Sequence, residues 1–108
     1  MELVELNISD KENSVKYALM VNGENVGYGY IFSRETNPIE IYIEENFRSN
    51  GYGKYLFNSL VKVLKDRGVK GAIFESSKDN LRFINIIKQA GAKEISRQMP
   101  KVKFVIKL

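Results

Sequence analysis

The segment RSNGYGK, from Arg48 to Lys54, combines residue types that suit the binding of a phosphate group. Its two glycines let a backbone approach a ligand with no Cβ atom in the way. An apolar run at helical spacing follows, so the segment is predicted to open a helix, whose first N–H groups lack partners and carry partial positive charge. The side chains of Arg48 and Lys54 would add two cations. The sequence therefore predicts an anion-binding loop, with the amides from Asn50 to Lys54 as its cradle.

The composition narrows the chemistry that such a site could support. The chain contains no cysteine and no histidine, which excludes disulfides, thiol nucleophiles, histidine bases and zinc sites of the usual ligand types. No metal site is predicted. The net charge of +4 is mildly basic and the basic residues are scattered, which argues against a nucleic-acid-binding tail.

The length of 108 residues fits one domain, predicted to span residues 1–108. The first ten residues carry acidic side chains and no long apolar core, so no signal peptide is expected. No apolar run reaches the length of a membrane-spanning helix, so we expect no membrane contact. A cytoplasmic protein is the default expectation.

Hydrophobic periodicity and turn residues predict an α/β domain with the order β-β-β-β-α-β-α-β-β. Asn22-Gly23 predicts a hairpin turn between the second and third strands. The sheet is expected to be mixed, mostly antiparallel and twisted, with a locally parallel crossover. The predicted strands are Glu2–Ile8, Val15–Val21, Val26–Phe32, Ile39–Ile43, Val69–Glu75 and two strands around Met99-Pro100, and the predicted helices are Tyr52–Arg67 and Asn80–Gly91.

Two familiar phosphate-binding loops fit the glycine segment poorly. The P-loop pattern GxxxxGK[ST] is absent. A dinucleotide-binding loop needs a third glycine where Leu56 stands, although Glu75 lies about 20 residues further on, as that pattern requires. The dinucleotide loop remains the weaker alternative.

The pattern Arg48-x-x-Gly51-x-Gly53 resembles the acyl-CoA pyrophosphate loop, R/Q-x-x-G-x-G/A, of the GNAT N-acetyltransferase superfamily. In that family an alternating strand precedes the loop, as IEIYI does here. A helix, a strand and a second helix that opens with asparagine and closes with glycine follow the loop, and Asn80 and Gly91 occupy those two positions. The resemblance extends over residues 39–95.

The resemblance implies an acyltransferase whose acyl donor is acetyl-CoA and whose acceptor is an amine. It implies that a wedge between the fourth and fifth strands, opened by a bulge, takes the pantetheine arm, that the backbone of Ile41, Tyr42 and Ile43 pairs with this arm, and that Asn80 reaches it. Glu75 matches a glutamate that serves some members as general base. The residues implied in pyrophosphate binding are Arg48, Asn50, Gly51, Tyr52, Gly53 and Lys54.

Two features depart from the family pattern. The tyrosine that usually donates a proton to the thiolate is replaced by Ile87, and residues 9–13 leave room only for a turn where the family places two helices. The expected acceptor is therefore a lysine or N-terminal amine of a protein or peptide, approached past a mildly acidic wall of Glu40, Tyr42 and Glu44. A second subunit could complete the pocket. The alternative is a catalytically weak or inactive CoA-binding or protein-interaction module.

Overall fold

Seven strands and two α-helices follow one another in the predicted order. The computed structural model describes all residues from 1 to 108. Neither helix is long and apolar enough to cross a membrane. The elements are β1 (Glu2–Glu5), β2 (Ser14–Val21), β3 (Glu24–Phe32), β4 (Ile39–Ile43), a 3₁₀ turn (Glu45–Phe47), α1 (Tyr52–Asp66), β5 (Gly71–Ser77), α2 (Leu81–Gln89), β6 (Lys93–Gln98) and β7 (Lys101–Lys107).

The strands form two antiparallel sheets, with the orders β1-β2-β3-β4 and β5-β7-β6. A single parallel bridge between Thr36 and Ile73 joins them. It is flanked by hydrogen bonds from the Asn37 amide to the Ile73 carbonyl at 2.7 Å and from the Ile73 amide to the Glu35 carbonyl at 3.1 Å. The predicted mixed, mostly antiparallel architecture is confirmed, and its parallel part is confined to this bridge.

The prediction that a bulge opens the wedge between β4 and β5 is wrong. The pairing of β3 with β4 runs from Gly27–Ile43 to Ile31–Ile39 without a register shift. The strands separate because Asn37, at a φ of 51°, accepts the Glu75 amide with its side-chain Oδ1 at 2.9 Å. The Asn37 side chain thus accepts the hydrogen bond that a backbone carbonyl of a neighbouring strand would otherwise accept. The two sheets diverge beyond this point.

Both helices pack on one face of the sheets, and the packing sets the direction of α2. Helix α1 buries Leu56, Phe57, Leu60 and Leu64. The ring of Phe57 meets Phe74 of β5 at 5.4 Å and Phe83 of α2 at 6.0 Å, both edge to face. Such aromatic contacts have preferred geometry beyond simple burial. The cluster fixes α2 beside the first turns of α1.

Helix α1 approaches strand β3 closely at Gly29. A Cβ atom on Gly29 would lie 2.5 Å from Leu60 Cδ1. The helices therefore lie on the face of β3 that carries Gly29, and the side chains of Tyr28 and Tyr30 lie on the opposite face. That opposite face is called the open face below.

Some predicted boundaries need correction. Strand β1 ends at Glu5, three residues early, and Ile8 is 82% exposed. Strand β5 begins and ends two residues later than predicted because its register is set by β7, with Gly71 opposite Lys107. As the short spacing predicted, no helix forms between β1 and β2.

Candidate functional site

A cleft of about 580 Å³ lies where β4 diverges from β5. It is bounded by β4, the loop after the 3₁₀ turn, the first turn of α1 and one side of α2. The predicted cofactor-binding residues that line it are Ile41, Tyr42, Ile43, Arg48, Gly51, Tyr52, Gly53, Lys54 and Asn80. The remaining one, Asn50, braces the loop instead, because its Nδ2 donates to the carbonyls of Phe47 at 3.1 Å and Arg48 at 3.2 Å.

The first turn of α1 presents backbone donors that nothing in the chain satisfies. The first helical hydrogen bond runs from Tyr55 to the Gly51 carbonyl at 3.1 Å, so the amides of Tyr52, Gly53 and Lys54 have no acceptor within the chain. Gly51 supplies the left-handed turn into the helix, with a φ of 81°, and has no side chain to cap it. The exposed donors and the helix dipole suit an anion.

The N-terminus of α2 is different because its own side chain caps it. Asn80 Oδ1 accepts the Phe83 amide at 3.3 Å, the usual role of asparagine at this position. The Nδ2 group of Asn80 makes no hydrogen bond within the chain. Asn80 therefore has one polar atom committed to the helix and one donor available beside the cleft.

Positive side chains surround the amide cluster. Arg48 is anchored, since its Nε donates to the Ile43 carbonyl at 2.8 Å and its guanidinium carbon lies 5.5 Å from the centre of the Tyr42 ring. The Nη groups of Arg48 make no hydrogen bond within the chain. Lys54 and Arg82 also line the cleft, which has no carboxylate among its lining residues. This end of the cleft is strongly electropositive.

The other wall of the cleft is the free edge of β4. The Pro38 carbonyl and the Glu44 amide bond to β3 at 2.7 and 2.9 Å. Hydrogen-bonded and non-bonded pairs alternate in an antiparallel ladder, so the polar backbone groups of Ile41 and Ile43 point away from β3 and into the cleft. Of these groups, only the Ile43 carbonyl has a partner, which is Arg48. An extended ligand could pair with this edge as a further strand would.

The sequence did not predict that one side of α2 lines the cleft. Its cleft-facing residues Arg82, Asn85, Ile86 and Gln89 recur at helical spacing on one stripe of the helix. The sequence had defined the helix by four apolar positions, Phe83, Ile84, Ile86 and Ile87, of which Ile84 and Ile87 are buried in the core. The polar residues on the side that lines the cleft, Arg82, Asn85 and Gln89, were the indication in the sequence that this side of the helix could face a ligand. Phe47, Ser49 and Phe83 also line the cleft without having been predicted.

The predicted base, Glu75, lies outside the cleft. Its neighbours in β5, Phe74 and Ser76, are buried beneath the helices, so the Glu75 side chain projects from the other side of the sheet. Its carboxylate pairs with Lys101 Nζ at 3.2 Å and Lys103 Nζ at 4.0 Å. Glu75 nevertheless sits at the point of divergence, because its amide is the group bound by Asn37. Its role as a base stays a prediction.

No proton donor comes from the position of the usual tyrosine. Ile87 has no exposed surface and belongs to the core cluster. Three residues that line the cleft carry hydroxyl groups, namely Tyr42, Ser49 and Tyr52. Tyr42 is 47% exposed and is in contact with Arg48. These hydroxyls and water are the available donors.

The expected acidic wall is largely neutralised at Glu40. Lys11 Nζ and Arg34 Nη2 donate to its two carboxylate oxygens at 2.9 and 3.0 Å. The hydrogen bond from Lys11, with that from Arg34, lowers the pKa of Glu40 despite partial burial. The same contact raises the pKa of Lys11. Glu40 is thus a paired carboxylate held in its charged form.

Comparisons with known proteins agree with this architecture. The acetyltransferase (GNAT) family profile matches residues 2–92. No curated protein sequence matches the chain. A domain from Methanocaldococcus jannaschii superimposes with a TM-score of 0.75 at 23% identity, covering 92% of this chain and 70% of that one.

Two further solved structures have the same fold. A Bacillus subtilis acetyltransferase in complex with CoA aligns at 13% identity and a TM-score of 0.74, over 90% of this chain and 78% of that one. A ribosomal-protein-alanine N-acetyltransferase from Brucella melitensis aligns at 18% identity and a TM-score of 0.71, over 88% and 69%. At these identities the structures show a common fold. The profile match extends from β1 to the end of α2, and the chain belongs to the GNAT acetyltransferase family.

Proposed function

We propose that the chain binds acetyl-CoA in the cleft and transfers the acetyl group to an amine, a lysine or N-terminal amine of a protein or peptide. One observation carries this proposal. The same cleft holds an uncapped helix N-terminus ringed by cations at one end and an unpaired strand edge along one wall. A ligand with a pyrophosphate and an extended amide-bearing arm, such as acetyl-CoA, needs both features.

The pyrophosphate would bind the amides of Tyr52, Gly53 and Lys54, with Arg48 and Arg82 as additional cations. Arg48 suits the role because its anchored guanidinium keeps its Nη donors free. Asn50 would act indirectly, by holding the loop. Charge-assisted hydrogen bonds of this kind are about twice as strong as neutral ones.

The pantetheine arm would run along β4 and pair with Ile41 and Ile43. Backbone donors on this edge, together with Asn80 Nδ2, could also bind the thioester carbonyl oxygen. Such fixed donors stabilise the negative charge that develops on the oxygen during attack. The strand is part of the rigid sheet, so the donors are in place before the substrate binds.

The reaction itself needs no covalent enzyme intermediate. The neutral amine nitrogen attacks the thioester carbonyl carbon, forming the C–N bond, and the C–S bond then breaks to release the CoA thiolate. The nitrogen loses a proton to a base, either Glu75 or water, and the thiolate gains one from a cleft hydroxyl or water. Tyr42 and Tyr52 supply hydroxyls at the cleft in place of the missing tyrosine.

A protein or peptide acceptor fits the open side of the molecule. No helices lie between β1 and β2 to enclose a small metabolite, and enclosed pockets are the rule for small ligands. The Brucella melitensis structure, which shares the fold, is named for acetylation of a ribosomal-protein alanine. A homodimer in which a second subunit completes the pocket stays a prediction.

A second candidate is a CoA-binding or protein-interaction module with little or no activity. It is favoured by the complete burial of Ile87, which removes the usual proton donor. Thiolates are good leaving groups, and protonation by water is sufficient for slow turnover. The transferase and a CoA-binding module would therefore both bind acetyl-CoA, but only the transferase would consume it at an appreciable rate.

The experiment combines thermal unfolding with a thiol-release assay. Acetyl-CoA at 100 times its dissociation constant should stabilise the fold by about 2.7 kcal/mol. Release of free CoA that depends on a lysine-containing peptide mixture would support the transferase. Stabilisation without thiol release across a broad amine panel would support a CoA-binding module. Absence of stabilisation would refute the transferase and leave a protein-interaction module.

A further inference from the structure

Two carboxylates near the divergence of β4 and β5 are held in ion pairs with cations of the chain. Glu40 is paired there with Lys11 and Arg34. Beyond the divergence, Glu75 is likewise paired with two lysines. Each of these two carboxylates is thus bound to two cations of the chain itself. Two further acidic residues near this point, Glu44 at the end of β4 and Glu35 beside the bridge to β5, make no ion pair.

Beside Glu75 lies a second, polar cavity of about 310 Å³. Its walls include Lys101 and Lys103 of β7 and Ser96 and Gln98 of β6. All four side chains can donate hydrogen bonds, and Glu75 is the only carboxylate among the lining residues. The cavity therefore offers a cluster of donors suited to a carboxylate of a ligand.

The acetyl group would be within reach of this cavity. Glu75 is opposite Lys103 in the β5–β7 register, and its amide is bound by Asn37 where the sheets part. The cleft is lined by residues of β4 and the two helices, and the cavity by residues of β5, β6 and β7. An acyl group held against the free edge of β4 would lie between the two, so an acceptor could attack from the cavity side.

We infer that the acceptor amine belongs to an acidic peptide, whose carboxylates bind Lys101 and Lys103 while its amine approaches Glu75. This inference rests on the proposed transferase function and names the substrate class of that site. The ion pairs can be exchanged because they are weak: the side chains of Lys101, Lys103 and Glu75 are 66%, 42% and 30% exposed. A peptide carboxylate that takes over the lysines leaves the Glu75 carboxylate available to the incoming amine.

A basic peptide would meet the opposite situation. Its cations would face the lysines of the cavity and the Lys11 and Arg34 cations already bound to Glu40. Like charges across an interface oppose association and select against the wrong partner. The acidic wall expected from the sequence would have favoured an amine surrounded by basic residues. The paired carboxylates favour an amine surrounded by acidic residues instead.

The test uses three peptides of equal length, each with a free N-terminus and one lysine, flanked by glutamate, glutamine or arginine. Acetylation is followed by mass spectrometry and thiol release with wild type, K101Q/K103Q and the matched control K93Q/K107Q. Lys93 and Lys107 lie on the same two strands, are exposed and make no ion pair, so the control removes equal charge elsewhere. Binding of each peptide to the CoA-saturated protein is measured by calorimetry as a readout independent of turnover.

Wild type should acetylate the glutamate peptide with a kcat/KM about tenfold above that of the arginine peptide, the size expected of two surface ion pairs. The ratio should fall towards one in K101Q/K103Q, persist in K93Q/K107Q and weaken in high salt. Equal use of the peptides, preference for arginine, or an unchanged ratio in K101Q/K103Q would overturn the inference. Acetylation of small amines without acetylation of any peptide would overturn this inference and leave the proposed transferase activity standing. Failure of every amine would overturn the proposed transferase as well.

Discussion

Replacement of Arg48 by alanine should weaken acetyl-CoA binding much more than it weakens the fold. The guanidinium is fixed by one hydrogen bond to the Ile43 carbonyl at 2.8 Å and stands beside the amides that open α1. Hydrogen bonds to charged groups contribute about 1.5–3 kcal/mol. Because Arg48 is exposed, we expect about 1.4 kcal/mol, or roughly tenfold in Kd.

The assay is thermal unfolding at one fixed acetyl-CoA concentration, set at 100 times the wild-type Kd. Stabilisation should be about 2.7 kcal/mol for wild type and about 1.4 kcal/mol for Arg48→Ala, since that ligand is then at only ten times the variant's Kd. At about 2.1 cal/mol/K of unfolding entropy per residue, a chain of 108 residues gains about 12 °C and about 6 °C, respectively.

Two further variants separate phosphate binding from loop support. Arg48→Lys keeps the charge, but a single Nζ cannot both reach the Ile43 carbonyl and present a fork to a phosphate, so its shift should fall between the other two. Arg97→Ala removes an exposed arginine paired only with Glu94 and should match wild type. The reasoning is refuted if Arg48→Ala lowers the melting temperature without ligand and leaves the ligand-induced shift intact. Arg48 would then stabilise the loop without binding the phosphate.

Three other predictions follow from the packing and the ion pairs. Ile87→Tyr should lower the unfolding free energy by about 1–3 kcal/mol through overpacking and should not increase thiol release, because the site is fully buried; faster turnover would contradict this. Gly53→Ala should raise the melting temperature of the ligand-free protein, since its Cβ would lie at an ordinary 3.5 Å from Ile86 Cδ1 and alanine is the better helix former; a lower melting temperature would contradict this. Glu40 has a lowered pKa in the fold, so its stabilising effect should be present above its ordinary pKa of 4.5 and be lost as the pH falls below it. In melting curves against pH, Glu40→Gln should therefore lose less stability on acidification than wild type, and equal losses would contradict the assignment.

Features that depend on short stretches of chain could be read from the sequence. The alternation in IEIYI gave the bounds of β4, and the glycines before an apolar run located the start of α1 at Tyr52. Both depend on residues within one or two turns of each other, so local propensity and spacing suffice. The wedge was expected only from the resemblance to the GNAT family, and its cause, the Asn37 side chain, was not expected.

Features that depend on pairing between distant strands could not be read in this way. The partners of Glu75, Lys101 and Lys103, follow from the β5–β7 register and lie 26 and 28 residues further along the chain. The same register displaced β5 by two residues from its apolar run. The ligand-facing side of α2 depends on how the Phe57–Phe74–Phe83 cluster rotates that helix. Each outcome is decided by tertiary contacts that local patterns do not encode.

The cations of the open face cover the aromatic rings that lie there. Tyr30 and Phe32 are only 7% and 8% exposed, although no helix covers their side of the sheet. Lys11 lies 4.5 Å above the Tyr30 ring and Arg34 lies 4.0 Å above that of Phe32. Cations stack favourably on aromatic rings, and their aliphatic stems bury apolar surface. These basic side chains cover the two rings on a face that no helix covers. They also bind Glu40, so the same two cations cover the aromatic rings and pair with the carboxylate of this face.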